Sequence, residues 1–142
     1  MKFYIINGPN LNLLGMREPD IYGHDTYESL CAYVQAQAAA MGHETAFFQS
    51  NHEGAIVDAI QAAKGVYDAI VINPAAYTHT SIAILDALKA VALPAAEVHI
   101  SDVTQREAYR QISYVSAACC CRFIGQGIEG YVNAIKALAE RE

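Results

Sequence analysis

Five short apolar runs separated by stretches of helical periodicity constrain this chain more than any other feature of its sequence. The runs are Phe3 to Ile6, Thr45 to Gln49, Ala69 to Asn73, Ala96 to Ile100 and Ala118 to Ile124. Between them, Leu30, Val34, Ala38 and Met41 recur at helical spacing, as do Ile56, Val57, Ile60 and Ala63, and again Ile82, Leu85, Leu88 and Ala92. Asp25-Thr26-Tyr27-Glu28 reads as a capping box opening the first of these helices, and Gly42, Gly65 and Pro94 follow their ends. Gln105 to Gln111 reads as a short helix and Gly130 to Glu140 as a longer closing one. Strands that are apolar throughout and alternate with helices form a parallel sheet covered on both faces, because only a helical crossover returns the chain to start a parallel neighbour.

Five such units wind as an α/β, flavodoxin-like three-layer fold with strand order 2-1-3-4-5 and ligands at the carboxyl ends of strands 1, 3 and 4. Nothing resembling a linker or repeat interrupts the series, so residues 1–142 are expected to be a single catalytic domain. With 54% hydrophobic and 17% charged residues the chain has the composition of a folded domain rather than a disordered one. No apolar run approaches the ~20 residues needed to span a bilayer, and the first residues turn polar too quickly for a signal peptide, so a cytoplasmic protein with no membrane partner is expected.

A net charge of −6 with nine scattered Lys and Arg residues argues against nucleic acid as a partner. The cysteines are Cys31 and the run Cys119-Cys120-Cys121. Successive strand residues face opposite ways, so the triplet does not converge on one metal and is read as buried reduced thiols in a core strand. The five histidines, 24, 43, 52, 79 and 99, fall in no dense ligand spacing, so no metal is expected, and His43 and His52 are read as exposed or structural. The lysines, at 2, 64, 89 and 136, avoid the strand-end loops, which speaks against Schiff-base chemistry.

Strand 1 runs into Asn7-Gly8-Pro9-Asn10-Leu11-Asn12, strand 3 into Asn73-Pro74-Ala75-Ala76-Tyr77-Thr78-His79-Thr80, and strand 4 into His99-Ile100-Ser101-Asp102. Turn chemistry accounts for Asn7, Asn12 and Thr80, the last as a helix cap. It accounts less well for Asn10, Asn73, His79 and His99, since three separate loops bring amide or imidazole to one crevice. The segment Gly15 to Gly23, with flanking glycines and Pro19, looks like a lid. A guanidinium at Arg17 near the phenol of Tyr22 would favour the phenolate, lowering a pKa that starts near about 10 and making a base. Taken alone, these residues favour the plainer reading in which Tyr22 packs and Arg17 pairs with Glu18 or Asp20 on the surface.

Gly125-Gln126-Gly127-Ile128-Glu129-Gly130 matches the dinucleotide fingerprint G-x-G-x-x-G and lies between a strand and a helix. The acidic residue that should follow about 20 positions later would fall beyond Glu142, with no strand to carry it. These glycines are therefore read as a tight turn that lets the last helix pack on its strand. The fold alone also hosts binding and signalling modules and selects no function.

The ordered set Ile6-Asn7-Gly8-Pro9-Asn10-Leu11-Asn12-Leu13-Leu14-Gly15, Arg17-Glu18-Pro19 with Ile21-Tyr22-Gly23, Gln49 to Gly54, Asn73 to Ser81 and Glu97-Val98-His99-Ile100-Ser101 closely resembles type II 3-dehydroquinate dehydratases. The resemblance implies a lyase that converts 3-dehydroquinate to 3-dehydroshikimate and water without cofactor or metal, a step shared by the shikimate and quinate pathways. It implies that Tyr22 is the base, that Arg17 keeps it ionised, and that Asn10 and Asn73, with an ordered water, stabilise an enolate oxygen. It further implies that His99 is the general acid, with Glu97 holding it oriented. The substrate carboxylate would be received at Ile100 and Ser101, where backbone N–H groups begin the next helix, and substrate hydroxyls at His79 and Arg110. Asp86 would reach the site of a neighbouring subunit in a homododecamer built from trimers. Two departures stand out from the family pattern: Asp102 replaces the usual Asn beside the carboxylate site, where an inward-pointing charge would weaken affinity, and Ala108-Tyr109 replaces Pro and Phe.

Overall fold

The computed structural model describes residues 1–16 and 25–141, and in it the alternation of apolar runs becomes a parallel sheet of order β2-β1-β3-β4-β5. The strands are β1 (Lys2–Asn7), β2 (Glu44–Gln49), β3 (Ala69–Asn73), β4 (Ala95–His99) and β5 (Cys121–Ile124). The helices are α1 (Tyr27–Ala40), α2 (Glu53–Ala63), α3 (Ile82–Val91) and α4 (Glu129–Ala139). Alternation along each strand sends neighbouring side chains into different layers. Phe3, Ile5, Val71, Ala96 and Val98 pack with Leu30, Val34, Tyr131 and Ile135 of α1 and α4. Ile6, Ile70, Ile72 and Ala95 pack instead with Ile56 and Ile60 of α2 and Ile84 and Leu88 of α3. Each fully buried Ile contributes roughly 1.5–3 kcal/mol, so the central strands, buried on both faces, anchor the sheet and fix its register.

Several element boundaries differ from the sequence expectation for local reasons. The capping box of α1 is formed by Thr26 and Ser29, one residue later than Asp25 and Glu28: Ser29 N–H donates to Thr26 Oγ1 at 3.0 Å and Thr26 N–H to Ser29 Oγ at 2.9 Å. Ser81, not Thr80, caps α3, accepting from Ile84 N–H at 2.9 Å. The expected helix at 105–111 is two short 3-10 turns, Val103–Gln105 and Ala108–Arg110, with the Gln111 amide donating to the carbonyls of Val103 in the first and of Arg106 and Glu107 between them.

β5 begins only at Cys121, because Val115–Ala118 coil into a 3-10 turn before the chain reaches the sheet. The thiols are accordingly not buried in a core strand. Cys120 is exposed at a bend, Cys121 is half-buried at the sheet edge, and their sulfurs converge to 3.7 Å despite the alternation expected of a strand. Burial and the neighbouring Cys120 thiol push Cys121 up to about 11, an unreactive thiol near neutrality. Among the described residues no group of three or more His, Cys, Asp or Glu side chains is arranged to hold a metal ion, and no helix is long and apolar enough to cross a membrane.

Candidate active site

β1 and β3 are adjacent in the sheet, and the chain leaves them toward opposite layers, which opens a crevice at their carboxyl ends. A cavity lies there. Its walls include Asn10 after β1, Asn73 at the end of β3 and His79 beyond it, His99, Ile100 and Ser101 at the end of β4, and Arg106 and Arg110 beyond. Seven residues singled out in the sequence thus meet in one cavity. Arg17 and Tyr22 lie outside the described residues. Asp86 is exposed on α3 and does not line this chain's cavity.

The amide side of the cavity is built from the α1/α4 layer. Asn7 and Asn73 are in register on β1 and β3, both buried, and both meet the phenol of Tyr131 on α4. Tyr131 Oη donates to Asn7 Oδ1 at 2.6 Å and accepts from Asn73 Nδ2 at 2.9 Å. Burial pushes this phenol well above its ordinary range, so it remains a neutral donor and acceptor. Ala75 N–H donates to Asn73 Oδ1 at 3.1 Å, which settles the orientation of the amide. An amide nitrogen carries two protons, and the one not given to Tyr131 is the donor Asn73 has for a ligand. Asn7 is therefore not a turn residue, as the sequence suggested, but a buried part of the site's support.

Asn10 is placed by backbone geometry. Gly8 N–H donates to Asn73 O at 2.8 Å, and a Cβ on Gly8 would stand 2.5 Å from Pro74 O, so only glycine lets the two loops touch. Asn10 and Ala75, both lining the cavity, hold left-handed backbone at φ 71° and 53°. Asn51 Oδ1 accepts from Asn10 N–H at 2.9 Å, and Gln49 ties Gly8 O, Asn12 Oδ1 and Asn51 Oδ1 together.

The imidazole side comes from the opposite layer. Glu97 and His99, two apart on β4, face the α2/α3 side, and His99 Nε2 donates to Glu97 Oε2 at 2.5 Å. Glu97 is fully buried and collects more partners than its neighbour in sequence revealed. Thr78 Oγ1 donates to Oε2 at 2.6 Å, Ser113 Oγ lies within 3.2 Å of both oxygens, and Arg122 Nε donates to Oε1 at 3.2 Å. Burial alone would raise this carboxyl, but the His99 and Thr78 hydrogen bonds and the Arg122 charge outweigh it and hold Glu97 below the usual carboxylate range. A polar residue in the middle of an apolar strand was the available signal for Arg122; Thr78 and Ser113 carried none, because their roles depend on where two loops fold.

His79 Nδ1 donates to Ile112 O at 2.7 Å; a carbonyl can only accept, so the proton sits on Nδ1 and Nε2 is left as an acceptor. Burial first, then the His99 and Arg110 charges, hold His79 below its ordinary value and keep it neutral at pH 7. Arg110 is steered by Glu107, its Nε donating at 3.1 Å. Arg106, which the sequence reading did not select, also lines the cavity.

The Gly125 to Gly130 segment buttresses the site. Gly125 N–H and Gly127 N–H donate to the carbonyls of His99 and Ile100 at 3.0 and 3.1 Å, and a Cβ on Gly130 would come within 3.2 Å of Val98 Cγ1. The motif is the tight turn and close packing the sequence suggested. No helix begins at Ile100 and Ser101; the next turn starts at Val103 and is capped by Asp102, whose Oδ1 accepts from Thr104 N–H at 3.0 Å. Asp102 is thereby spent on its own turn and does not line the cavity, so its charge is not aimed at a bound anion.

Replacing Tyr131 by Phe leaves Asn7 Oδ1 and Asn73 Nδ2 short of a buried partner. The expected result is a loss of about 1–3 kcal/mol in chemical denaturation together with a fall in activity, as Asn73 loses its fixed orientation. Unchanged turnover would show that Asn73 needs no such support.

Residues 1–139 match the family model described as dehydroquinase class II. The 3-dehydroquinate dehydratase of Corynebacterium glutamicum (strain R) is 52% identical over 138 residues, 97% of this chain and 95% of the relative. That of Cereibacter sphaeroides (strain ATCC 17023) is 55% identical over 135 residues, 95% and 92% of the two chains. The crystal structure of a type II dehydroquinase from Butyrivibrio crossotus DSM 2876 superposes with a TM-score of 0.96 at 49% identity, covering 98% of this chain and 97% of the other. A sheet of this order, a cavity at its switch point and agreement along nearly the whole length lead to one assignment: the chain belongs to the class II dehydroquinase family.

Proposed function

We propose that this protein eliminates water from 3-dehydroquinate to give 3-dehydroshikimate, through an enolate, with Tyr22 as base and His99 as acid. The observation that carries the reading is the convergence of Asn10 and Asn73 from one side and the Glu97-held His99 from the other on a single cavity. The elimination is redox-neutral and the lost proton lies beside a ketone, so the reaction calls for no cofactor.

Tyr22, kept as phenolate by Arg17, removes that proton. Negative charge then develops on the carbonyl oxygen, where the side-chain amides of Asn10 and Asn73 donate to it; the Asn73 amide, already held by Tyr131 and Ala75, needs no reorganisation as the charge appears. With Nε2 committed to Glu97, the His99 nitrogen left for the substrate is Nδ1, which protonates the departing hydroxyl. Water leaves, Tyr22 is protonated, His99 is neutral, and proton exchange with solvent restores both. Glu97 stabilises the imidazolium before the transfer and holds the ring throughout. The substrate carboxylate meets the Ile100–Ser101 backbone, and the acceptor Nε2 of His79 with the donors of Arg110 receives hydroxyls. Asp86, exposed on α3, serves the cavity of a neighbouring copy in a dodecamer of trimers.

Mixing purified protein with 3-dehydroquinate is expected to generate the ultraviolet absorbance of a conjugated enone; no rise at high enzyme concentration would overturn the substrate. Borohydride added with substrate is expected to leave activity intact. Lys64 is turned to the carbonyl of Val91, and no described lysine lines the cavity. A covalent adduct would instead implicate a lysine imine.

A further inference from the structure

We propose that Arg122, on the edge strand and outside the cavity, is a positioning residue for the elimination: its guanidinium grips Glu97 Oε1 from β5 so that Oε2 stays aimed at His99. The inference rests on the acid role given to His99 above. Glu97 and Arg122 are directly opposite in the β4/β5 register, which fixes their side chains on the same face of the sheet. The two carboxylate oxygens are divided between partners. Oε1 takes Arg122 Nε at 3.2 Å, and Oε2 takes His99 Nε2 at 2.5 Å and Thr78 Oγ1 at 2.6 Å, with Ser113 Oγ between them. A carboxylate held at one oxygen only can rotate about its last bond; one held at both cannot.

The charge matters as well as the grip. Glu97 is fully buried, and the cations and dipoles facing it decide whether it stays ionised. From its own strand it is faced by His99, from the 3-10 turn Ala75–His79 by the Thr78 hydroxyl, from the 113 loop by the Ser113 hydroxyl, and from β5 by Arg122. The Cys119 thiol feels its negative charge and is raised chiefly by burial, while His79 feels it more weakly. Arg122 is the permanent cation in this set. Its side chain is 31% exposed, so its pull on Glu97 is partly screened by water.

The test compares wild type, Arg122→Met, which keeps the apolar stem, and Arg122→Lys, which keeps the charge without the fork. Two readouts are taken: the carboxyl-carbon NMR titration of Glu97 in the folded protein, and kcat as a function of pH. In Arg122→Met the Glu97 titration is expected to move up by about one pH unit, the small end of the effect of a nearby opposite charge. Turnover at the optimum should fall roughly tenfold, as for a misaligned rather than missing acid. Arg122→Lys should return the titration toward wild type and recover part of kcat. A Glu97 titration identical in wild type and Arg122→Met, or an equal loss of kcat in Met and Lys with no titration shift, would overturn the proposal. The titration needs no substrate. A wild-type enzyme inert toward 3-dehydroquinate but showing the Met shift would therefore refute the proposed reaction while leaving the grip on Glu97 intact.

Discussion

Tyr22→Phe is expected to lower kcat by about 10²–10⁴-fold, the range over which a positioned acid or base contributes to proton transfer. Removing one hydroxyl deletes the atom that takes the proton and little else, so binding of product-like ligands should persist. Binding contacts in the proposed complex come from other segments: Asn73 at the end of β3, His79 after it, and Ile100 and Ser101 after β4. Single-turnover kinetics beside equilibrium binding of a non-reacting cyclic hydroxy-acid separate the two effects. Near-normal turnover would reject Tyr22 as base. Arg17→Met should mimic the defect at neutral pH and relieve it at high pH, where the phenol ionises without help.

Glu97→Ala is the substitution expected to damage both fold and chemistry. It leaves the imidazole Nε2–H, the Thr78 and Ser113 hydroxyls and the Arg122 guanidinium without their common acceptor. Breaking a buried pair on one side costs about 3–5 kcal/mol, and the lower end applies because Arg122 can turn to solvent. Turnover should fall by about 10²-fold or more, since the acid loses both its orientation and the charge that stabilises its imidazolium. Glu97→Gln keeps the shape and loses the charge, so it should be more stable than the Ala variant yet comparably slow. Wild-type turnover in Glu97→Gln would show that only packing matters. The carboxyl titrates in the folded state below its ordinary 4.5. Its contribution to stability is therefore complete above that pH and is lost as pH falls through the lower folded value. Denaturation midpoints followed from neutral pH into acid should show wild type losing this increment and Glu97→Gln lacking it throughout.

What was legible in advance follows from how far each signal reaches along the chain. Strand order and the site's position came from apolar periodicity and the parallel-sheet rule, both local patterns with one global solution. Asn10, Asn73, His79 and His99 could be selected because each sits at or just after the carboxyl end of a strand. Glu97 came with the family resemblance, and its two-residue spacing from His99 on β4 is what puts both side chains on one face. Boundaries were less secure: Thr80 and Ser81 are adjacent potential caps, and only the backbone path into α3 selects Ser81. The cysteine triplet was misplaced because the 3-10 turn Val115–Ala118 takes Ala118 from the expected strand and the chain joins the sheet only at Cys121, leaving Cys120 at a bend.

The sequence by itself determined the layers, the order of the strands and the loops from which the chemistry comes, since hydrophobic period and chain connectivity are properties of neighbours along the chain. Only the tertiary structure decided what supports those residues. Tyr131 lies 58 residues from Asn73 and 124 from Asn7, yet one phenol serves both. Thr78, Ser113 and Arg122 reach Glu97 from three separate segments. A hydrogen bond between distant segments leaves no periodic trace in sequence. It exists because a buried polar atom must find a partner, and which partner is within reach depends on how the layers close.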